Sequence, residues 1–220
     1  VENLNDDTEN ISKKLPQKYD LRDYGRVSKV KNQGSEGYCW AFASVASMES
    51  SILSQNNLKS KLGENPQDTI DLSEAGQTWY IHSGIVDKSS PFYGDYINDS
   101  SKGSNGGTSD TLAISLNSGF GTYPQSLCPY NEVKKGFSET LRYYSDYRLK
   151  DYSEISNNKD TLKSKIVSNG AVTVYYPSIT DCYSSDYANY YSDNTCIGIG
   201  DSHLIVVVGW DDNYSKDNFT

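Results

Sequence analysis

The apolar residues that follow Cys39 recur at steps of three and four, and this spacing constrains the fold more than any other feature of the chain. They are Phe42, Val45, Ala46, Met48, Ile52 and Leu53. The pattern predicts an amphipathic helix of about four turns with one buried face. A glycine-containing turn over residues 33–38 leads into it. We therefore expect the helix to begin at or just before Cys39 and to pack on a core.

Helices are predicted mainly in the first half of the chain and strands in the second. The helical segments after the first contain Trp79 and Ile81, then Leu112, Ile114 and Leu116, then Leu162, Ile166 and Val167. Ser73 suits the N-cap of the first of these, and Gly119 and Gly170 end the other two. β-branched and aromatic runs at 172–176 and 203–208 predict strands. This segregation predicts an α+β fold of two lobes with a cleft between them.

Charge and hydropathy exclude several classes of function. Twenty Lys+Arg against 29 Asp+Glu give a net charge of −9, and no basic stripe stands out, which argues against nucleic acid and membrane surfaces as partners. The longest apolar run, 204–208, is far shorter than the roughly 20 residues of a spanning helix. The start of the chain lacks the pattern of a signal peptide, so we expect a mature fragment of a longer precursor. The 19 Tyr, the single Met and the acidic balance favour an extracellular or cell-surface location.

Cys39 is the candidate nucleophile. A helix N-terminus favours negative charge, and the thiolate is the nucleophilic form of cysteine. Gln33, six residues earlier, could donate a hydrogen bond to a developing oxyanion. The chain has two histidines: His82 falls within a predicted helix and is interpreted as a surface or core residue, whereas His203 opens a strand. A thiol and an imidazole on opposite walls of a cleft suit acyl transfer through a thioester.

Several motifs together resemble the papain-like cysteine proteases. Asn32-Gln33-Gly34 with Cys39-Trp40-Ala41-Phe42-Ala43 is the strongest. The others, in the family's order, are Leu72-Ser73-Glu74, Asn105-Gly106-Gly107, Pro129-Tyr130, residues 169–174, and His203 with Val207-Val208-Gly209-Trp210. The resemblance runs from about Leu15 to Trp210. It extends to bacterial members that process surface-layer proteins, which also tend to read Val-Gly-Trp-Asp-Asp-Asn-Tyr after the histidine.

The resemblance implies a papain-like two-lobe fold and a cysteine endopeptidase. Cys39 would be the nucleophile, His203 the base and then the acid, and the Gln33 side chain with the Cys39 backbone N–H the oxyanion hole. Gly107, after Gly106, would bind the backbone of the second substrate residue upstream of the scissile bond. The implied partners are protein or peptide substrates and the protein's own pro-segment, with a monomeric enzyme and neither metal nor organic cofactor.

The resemblance also implies a pocket for that second upstream substrate residue. Its lining would be Thr108, Ser109, Tyr175, Asp201, Ser202 and Leu204. A carboxylate in a half-buried pocket is most stable when it faces a cation. We therefore expect Asp201 to allow Lys or Arg at this substrate position beside aliphatic residues.

The chain departs from the family pattern at three points. Glu36 stands where the family has a cysteine, and Ser104 stands where its usual disulfide partner would be. His203 lies 164 residues after Cys39, which implies insertions at about 85–103 and 178–201. The asparagine that orients the histidine has no matching motif, so we expect it beyond Thr220, with Asn218 as the weaker candidate.

The expected domain organisation is a tail or pro-segment remnant over 1–15 and a protease domain over 16–220. Its helical lobe would cover about 25–130 and its β lobe about 131–220, with a polar loop after Val208 that has no partner strand and a truncated C-terminus. Cys182 and Cys196 are predicted to form a disulfide that closes a polar, Tyr-rich loop. The alternative function is a papain-fold module that binds peptides or cell-wall components without turnover.

Overall fold

The computed structural model describes residues 15–95, 106–117, 119–184, 189–190, 200–215 and 217. The helices are α1 (Cys39–Ser54), α2 (Asn56–Lys59), α3 (Pro66–Thr69), α4 (Glu74–His82), α5 (Ser109–Asn117) and α6 (Lys159–Asn169). The strands are β1 (Lys18–Asp20), β2 (Val172–Ser178), β3 (Tyr183–Ser184), β4 (Asn189–Tyr190), β5 (Asp201–Val207) and β6 (Gly209–Asp211). Single 3₁₀ turns cover Leu21–Tyr24, Ser60–Leu62, Tyr130–Glu132, Glu139–Leu141 and Thr180–Cys182. The predicted tail up to residue 14, Asn105, Cys196 and Asn218 lie outside the described residues.

Helix α1 is the centre of the fold. It begins at Cys39, as predicted, and packs against α4, α5 and α6 and against strands β2 and β5. Trp40 and Ala41 are fully buried in one hydrophobic cluster with Ile81 of α4 and Leu112 of α5. Because helices and strands both pack on α1, the wall of any cleft between them runs along this helix.

The predicted start of α4 and the predicted end of α6 are confirmed. The Ser73 hydroxyl accepts a hydrogen bond from the Gly76 backbone N–H at 2.8 Å, which caps α4. The Asn158 side chain caps α6, and that helix ends before Gly170, whose φ of 110° lies in the region that favours glycine. Local sequence chemistry therefore sets these boundaries.

Strands β2 and β5 form an antiparallel pair in which Val172 lies opposite Val207 and Ser178 lies opposite Asp201. The pairing joins the two predicted strand segments and confirms an α+β fold with antiparallel strands. It also sets Tyr176 opposite His203 in the register. The long separation along the chain is bridged by the segment that carries β3 and β4.

The expectation that residues after Val208 form a loop without a partner strand is wrong. Strand β6 pairs antiparallel with β1, and the rings of Tyr19 and Trp210 stack with their centroids 5.2 Å apart. The Trp210 indole N–H also donates to the Pro16 backbone oxygen at 3.0 Å. A three-residue strand is too short to show a recognisable hydrophobic period in the sequence. The contact between Tyr19 and Trp210, which are far apart along the chain, stabilises this pairing.

Residues on both sides of the predicted lobe boundary near 130 contact the helical part. The buried Arg142 guanidinium donates to the backbone oxygens of Tyr80 at 3.1 Å and Gly84 at 2.9 Å, and it pairs with Glu139. These contacts favour a boundary later than 130, and the division into lobes stays a prediction. Within the described residues, no helix is long and apolar enough to cross a membrane.

Candidate active site

Cys39 is the first residue of α1, and its free thiol is half-buried. The preceding Tyr38 is buried and has no side-chain capping hydrogen bond to the helix. The first N–H groups of a helix have no partner within it and favour an anion. Cys39 therefore stands where a thiolate, or an oxyanion formed beside it, meets backbone donors.

The Gln33 side chain is held next to the start of α1 by one carbonyl group. Its Nε2 donates to the Glu36 backbone oxygen at 3.0 Å, and the same oxygen accepts from the Tyr38 backbone N–H at 2.9 Å. A carboxamide carries two N–H donors, so this contact leaves a second one. The arrangement supports the predicted pairing of Gln33 with Cys39 around an oxyanion.

Tyr130 contacts the loop that carries Gln33 and holds it against α1. Its hydroxyl donates to the Gln33 backbone oxygen at 2.6 Å. Its ring makes edge contacts with Tyr38 and with Phe42 of α1, at centroid distances of 6.0 and 4.9 Å. Burial raises the pKa of Tyr130 to about 12, so its hydroxyl keeps its proton and remains a donor at neutral pH. Tyr130 belongs to the Pro129-Tyr130 motif, but nothing local in the sequence signals this contact.

A surface ion pair also holds the loop that carries Gln33. Lys134 forms an ion pair with Glu36, the residue that stands where the family has a cysteine. Both side chains are at least one-third exposed, so water screens the pair and it contributes little stability by itself. It nevertheless joins the Gln33 loop to the segment that carries Tyr130.

Gly107 lies against the residue that follows the candidate nucleophile. A Cβ at Gly107 would come within 2.8 Å of three atoms of the Trp40 indole, so only glycine fits without a shift. Gly106 has a φ of 112°, a conformation that again favours glycine. Both glycines are exposed, and the chain at 106–107 therefore presents backbone groups next to Trp40, the residue that follows Cys39.

His203 lies on β5, which packs against α1. It is half-buried, and its ring centroid is 5.8 Å from that of Tyr176 on β2. Its neighbour Leu204 packs against the cluster that contains Trp40, the neighbour of Cys39. Cys39 and His203 are therefore each one residue away from the same hydrophobic cluster. His82, by contrast, is buried on α4 with its ring centroid 5.8 Å from that of Trp40, which agrees with its interpretation as a core residue.

A cavity of about 630 Å³ opens between α1, α5 and β2. Five of the predicted substrate-binding residues line it: Gly107, Thr108, Ser109, Tyr175 and Leu204. The buried hydroxyls of Ser44 and Ser109, also in its lining, have no hydrogen-bond partner. Asp201 is exposed, lies opposite Ser178 at the end of the β2–β5 pair and is not among the lining residues. The carboxylates in the lining are instead Asp110, Asp151 and Glu154.

Neither Cys128 nor Cys182 lines the cavity beside Gly107. Cys128 is a free thiol in the core, and burial raises its pKa to about 11, so it is protonated at neutral pH. Cys182 is disulfide-bonded. Its predicted partner Cys196 lies outside the described residues, so that pairing stays a prediction. Over the described part of the chain, no group of three or more His, Cys, Asp or Glu side chains could hold a metal ion.

Comparisons with known proteins agree with this geometry. The model of the papain family of cysteine proteases matches residues 15–220. The structure of the cysteine protease and lectin-like domains of Cwp84, a surface layer associated protein of Clostridium difficile, superposes with a TM-score of 0.68 and 26% identity over 94% of this chain and 41% of that one. The probable cysteine protease RD19B of Arabidopsis thaliana is 25% identical over 89% of this chain and 48% of its own length. Peptidase 1 of Psoroptes ovis is 46% identical over 57 residues, which are 26% of this chain and 17% of its own. The chain thus spans less than half the length of these relatives. Because the family model matches almost the whole sequence, the chain belongs to the papain family of cysteine proteases.

Proposed function

We propose that the protein is a cysteine endopeptidase with Cys39 as nucleophile and His203 as its base. The observation that carries this proposal is the packing of α1, which begins at Cys39, against β5, which carries His203. The Cys39 sulfur would attack the scissile carbonyl carbon while its proton passes to the His203 imidazole. The same imidazole would then protonate the departing amine, and the C–N bond would break.

The first step would leave a thioester between Cys39 and the acyl part of the substrate. A water molecule, deprotonated by His203, would attack this thioester and release the acid and the thiol. Each attack creates a negatively charged oxygen, and the free N–H of the Gln33 amide and the Cys39 backbone N–H would stabilise it. The Glu36 carbonyl that binds both Gln33 and Tyr38 supports this assignment.

The substrates would be extended peptide segments of proteins. The exposed backbone of Gly106 and Gly107 supports binding of the substrate main chain beside Cys39. The cavity behind Gly107 would take the side chain of the second residue upstream of the scissile bond. Its mixed polar lining suits a side chain with an apolar stem and a polar end.

We place this enzyme outside the cell or at the cell surface, as a monomer that is held inactive by its own pro-segment before maturation. The acidic, Tyr-rich composition supports this location. The similarity to Cwp84, which is described as surface layer associated, points the same way.

Labelling with a thiol-trapping peptidyl epoxide tests the proposal. The Cys39 sulfur would open the epoxide ring, forming a C–S bond while the ring oxygen takes a proton. We expect stoichiometric labelling of Cys39 that His203→Ala abolishes and that Cys128→Ser, a change at a buried thiol that does not line the cavity, leaves intact. Labelling no faster than that of free cysteine would favour the alternative, a papain-fold module that binds peptides or cell-wall components without turnover.

A further inference from the structure

The two faces of the β2–β5 strand pair carry different side chains. Side chains alternate along a strand, and residues that lie directly opposite each other in a pair project from the same face. Tyr175 and Leu204 lie opposite each other, and both line the cavity beside Gly107. Tyr176 and His203 are the next opposed pair and therefore project from the other face. The proposed base thus shares its face of the strand pair with a tyrosine.

The rings of Tyr176 and His203 contact each other across the two strands. Their centroids are 5.8 Å apart, and their planes are inclined by 57°. Aromatic rings attract each other at such distances. The register is also held from the other face, where the Tyr175 and Ser202 hydroxyls form a hydrogen bond across the strands. The position of the Tyr176 ring beside the imidazole is therefore fixed by the strand pairing.

The neighbouring ring matters most when His203 carries a charge. In the proposed reaction the imidazole takes the Cys39 proton and becomes an imidazolium. An aromatic ring within about 6 Å attracts a cation, and this attraction grows as water is excluded. Tyr176 and His203 are both half-buried, so water screens the attraction only in part. An aliphatic side chain at position 176 could fill the same space but would lack this attraction.

We propose that Tyr176 is a positioning residue for His203. Its ring limits the orientations of the imidazole and favours the imidazolium that forms when His203 takes the thiol proton. This inference rests on the proposed function, because it requires His203 to act as the base. Tyr176 is not among the residues that line the cavity, so its effect should fall on the reaction at Cys39 and not on the binding of a substrate side chain.

Alkylation of Cys39 by iodoacetamide tests this inference on the full chain, with the labelled residue identified by peptide mass mapping. The Cys39 sulfur displaces iodide and forms a C–S bond, while the thiol proton passes to His203. At about pH 6 an unassisted thiol is almost fully protonated, so fast labelling at this pH requires the imidazole. Because iodoacetamide is small and neutral, the labelling rate reports on the thiol and its base without the substrate-binding residues.

Three variants of Tyr176 separate the ring from the rest of the side chain. Tyr176→Phe keeps the ring, and its labelling rate should stay within about twofold of wild type. Tyr176→Ile and Tyr176→Thr lack the ring but suit a strand, so the rate constant should fall about fivefold or more while labelling stays stoichiometric. Peptide hydrolysis by these two variants should show a similar fall in kcat, with KM within about twofold of wild type.

The matched control is Tyr143→Ile, which removes an exposed ring that stacks on Phe120 at a centroid distance of 5.7 Å. This variant should label at the wild-type rate, because Tyr143 lies outside the β2–β5 pair. An equal loss of rate in Tyr143→Ile and Tyr176→Ile would overturn the inference.

The remaining outcomes separate this inference from the proposed function. If His203→Ala is labelled as fast as wild type, both are wrong. If His203→Ala is labelled slowly but the two ring-free variants are labelled fast, the role of Tyr176 alone is wrong. The role of Tyr176 is also wrong if Tyr176→Phe loses as much rate as those variants, since the hydroxyl would then be responsible. A loss of labelled sites without a loss of rate would likewise assign the tyrosine to folding only.

Discussion

Gly107 lies so close to Trp40 that a Cβ on the glycine would fall 2.8 Å from three atoms of the indole ring. Trp40 is fully buried and directly follows Cys39. The exposed glycine segment therefore packs on a buried residue of α1, the helix that begins with the candidate nucleophile. In the proposed enzyme, this contact would set the distance between a bound substrate backbone and the Cys39 thiol.

We expect Gly107→Ala to impair the enzyme through this contact. The added methyl group must displace the indole or the glycine segment, a change that typically costs about 1–3 kcal/mol. Peptide hydrolysis should show a fall in kcat/KM of about tenfold or more. Gly84→Ala is the matched control, since a Cβ there meets its nearest atom at an ordinary 3.5 Å. If the two variants behave alike, the contact with Trp40 does not position the substrate.

Tyr130→Phe should lower kcat more than it changes KM. The substitution removes the hydroxyl that donates to the Gln33 backbone at 2.6 Å but keeps the ring that packs on Tyr38 and Phe42. Gln33 would then be held less firmly where the oxyanion forms, whereas the glycine segment would be untouched. The global stability loss should stay near about 1 kcal/mol, as for one hydrogen bond.

The control for this prediction is Tyr144→Phe, which removes an exposed hydroxyl bonded to Asp146 at 2.7 Å. Steady-state kinetics on a peptide substrate separate kcat from KM. A rise in KM with kcat unchanged would mean that Tyr130 serves substrate binding and not the position of Gln33.

Stability should fall as the pH rises through neutrality because of Glu74. Desolvation by burial raises its folded-state pKa to about 7, above the ordinary value of 4.5, although Lys31 opposes the shift. A carboxyl group with a raised folded pKa favours folding fully below its unfolded pKa, and this contribution is lost as the pH rises through about 7. The loss is at most about 3 kcal/mol for a shift of this size.

Urea unfolding at about pH 5 and pH 8 measures this effect. In Glu74→Gln the side chain cannot ionise, so the variant should lose less stability than wild type between the two pH values. A parallel loss in both proteins would show that another group is responsible.

Arg142→Met should be strongly destabilising. The guanidinium is 1% exposed and supplies donors to the Tyr80 and Gly84 backbone oxygens and to Glu139. Removing it leaves these acceptors without their partner, at a cost of about 3–5 kcal/mol. Arg148→Met, which removes an exposed donor to the Gly119 backbone oxygen, should cost less than about 1 kcal/mol. Thermal unfolding of the two variants gives the comparison directly, and a similar melting temperature for both would refute the role of Arg142.

Basic residues should be accepted at the second substrate position upstream of the scissile bond. The structure separates two possible sources of this preference: Asp201 is exposed, whereas Asp110 lines the cavity and accepts a hydrogen bond from Tyr152. A positional-scanning peptide library should show that Asp110→Asn lowers, by several-fold, the cleavage of peptides with Lys or Arg at this position relative to those with Leu. Asp201→Ala should leave the ratio unchanged. The reverse result would assign the preference to Asp201. If neither variant changes the ratio, neither carboxylate determines this preference.

The sequence by itself determined the elements whose signals are local. The spacing after Cys39 predicted α1, the hydroxyl of Ser73 predicted the start of α4, and Gly170 predicted the end of α6. Each rests on residues within a few positions of one another, where helix periodicity and capping act. The candidate nucleophile and base could be proposed from the sequence because two histidines and a short set of family-like motifs left few choices.

Only the tertiary structure decided the contacts between distant segments. Strands β1 and β6 lie at opposite ends of the described chain, and their pairing depends on Tyr19 meeting Trp210. Glu49 is a carboxylate on the same apolar face of α1 as Val45 and Ile52. Its position in the sequence therefore predicts that a carboxylate is buried there. A charge in that place demands a buried partner, but nothing local says that the partner is Lys31. Such pairs form because burial makes an uncompensated charge costly, and which residues meet is set by how the whole chain packs.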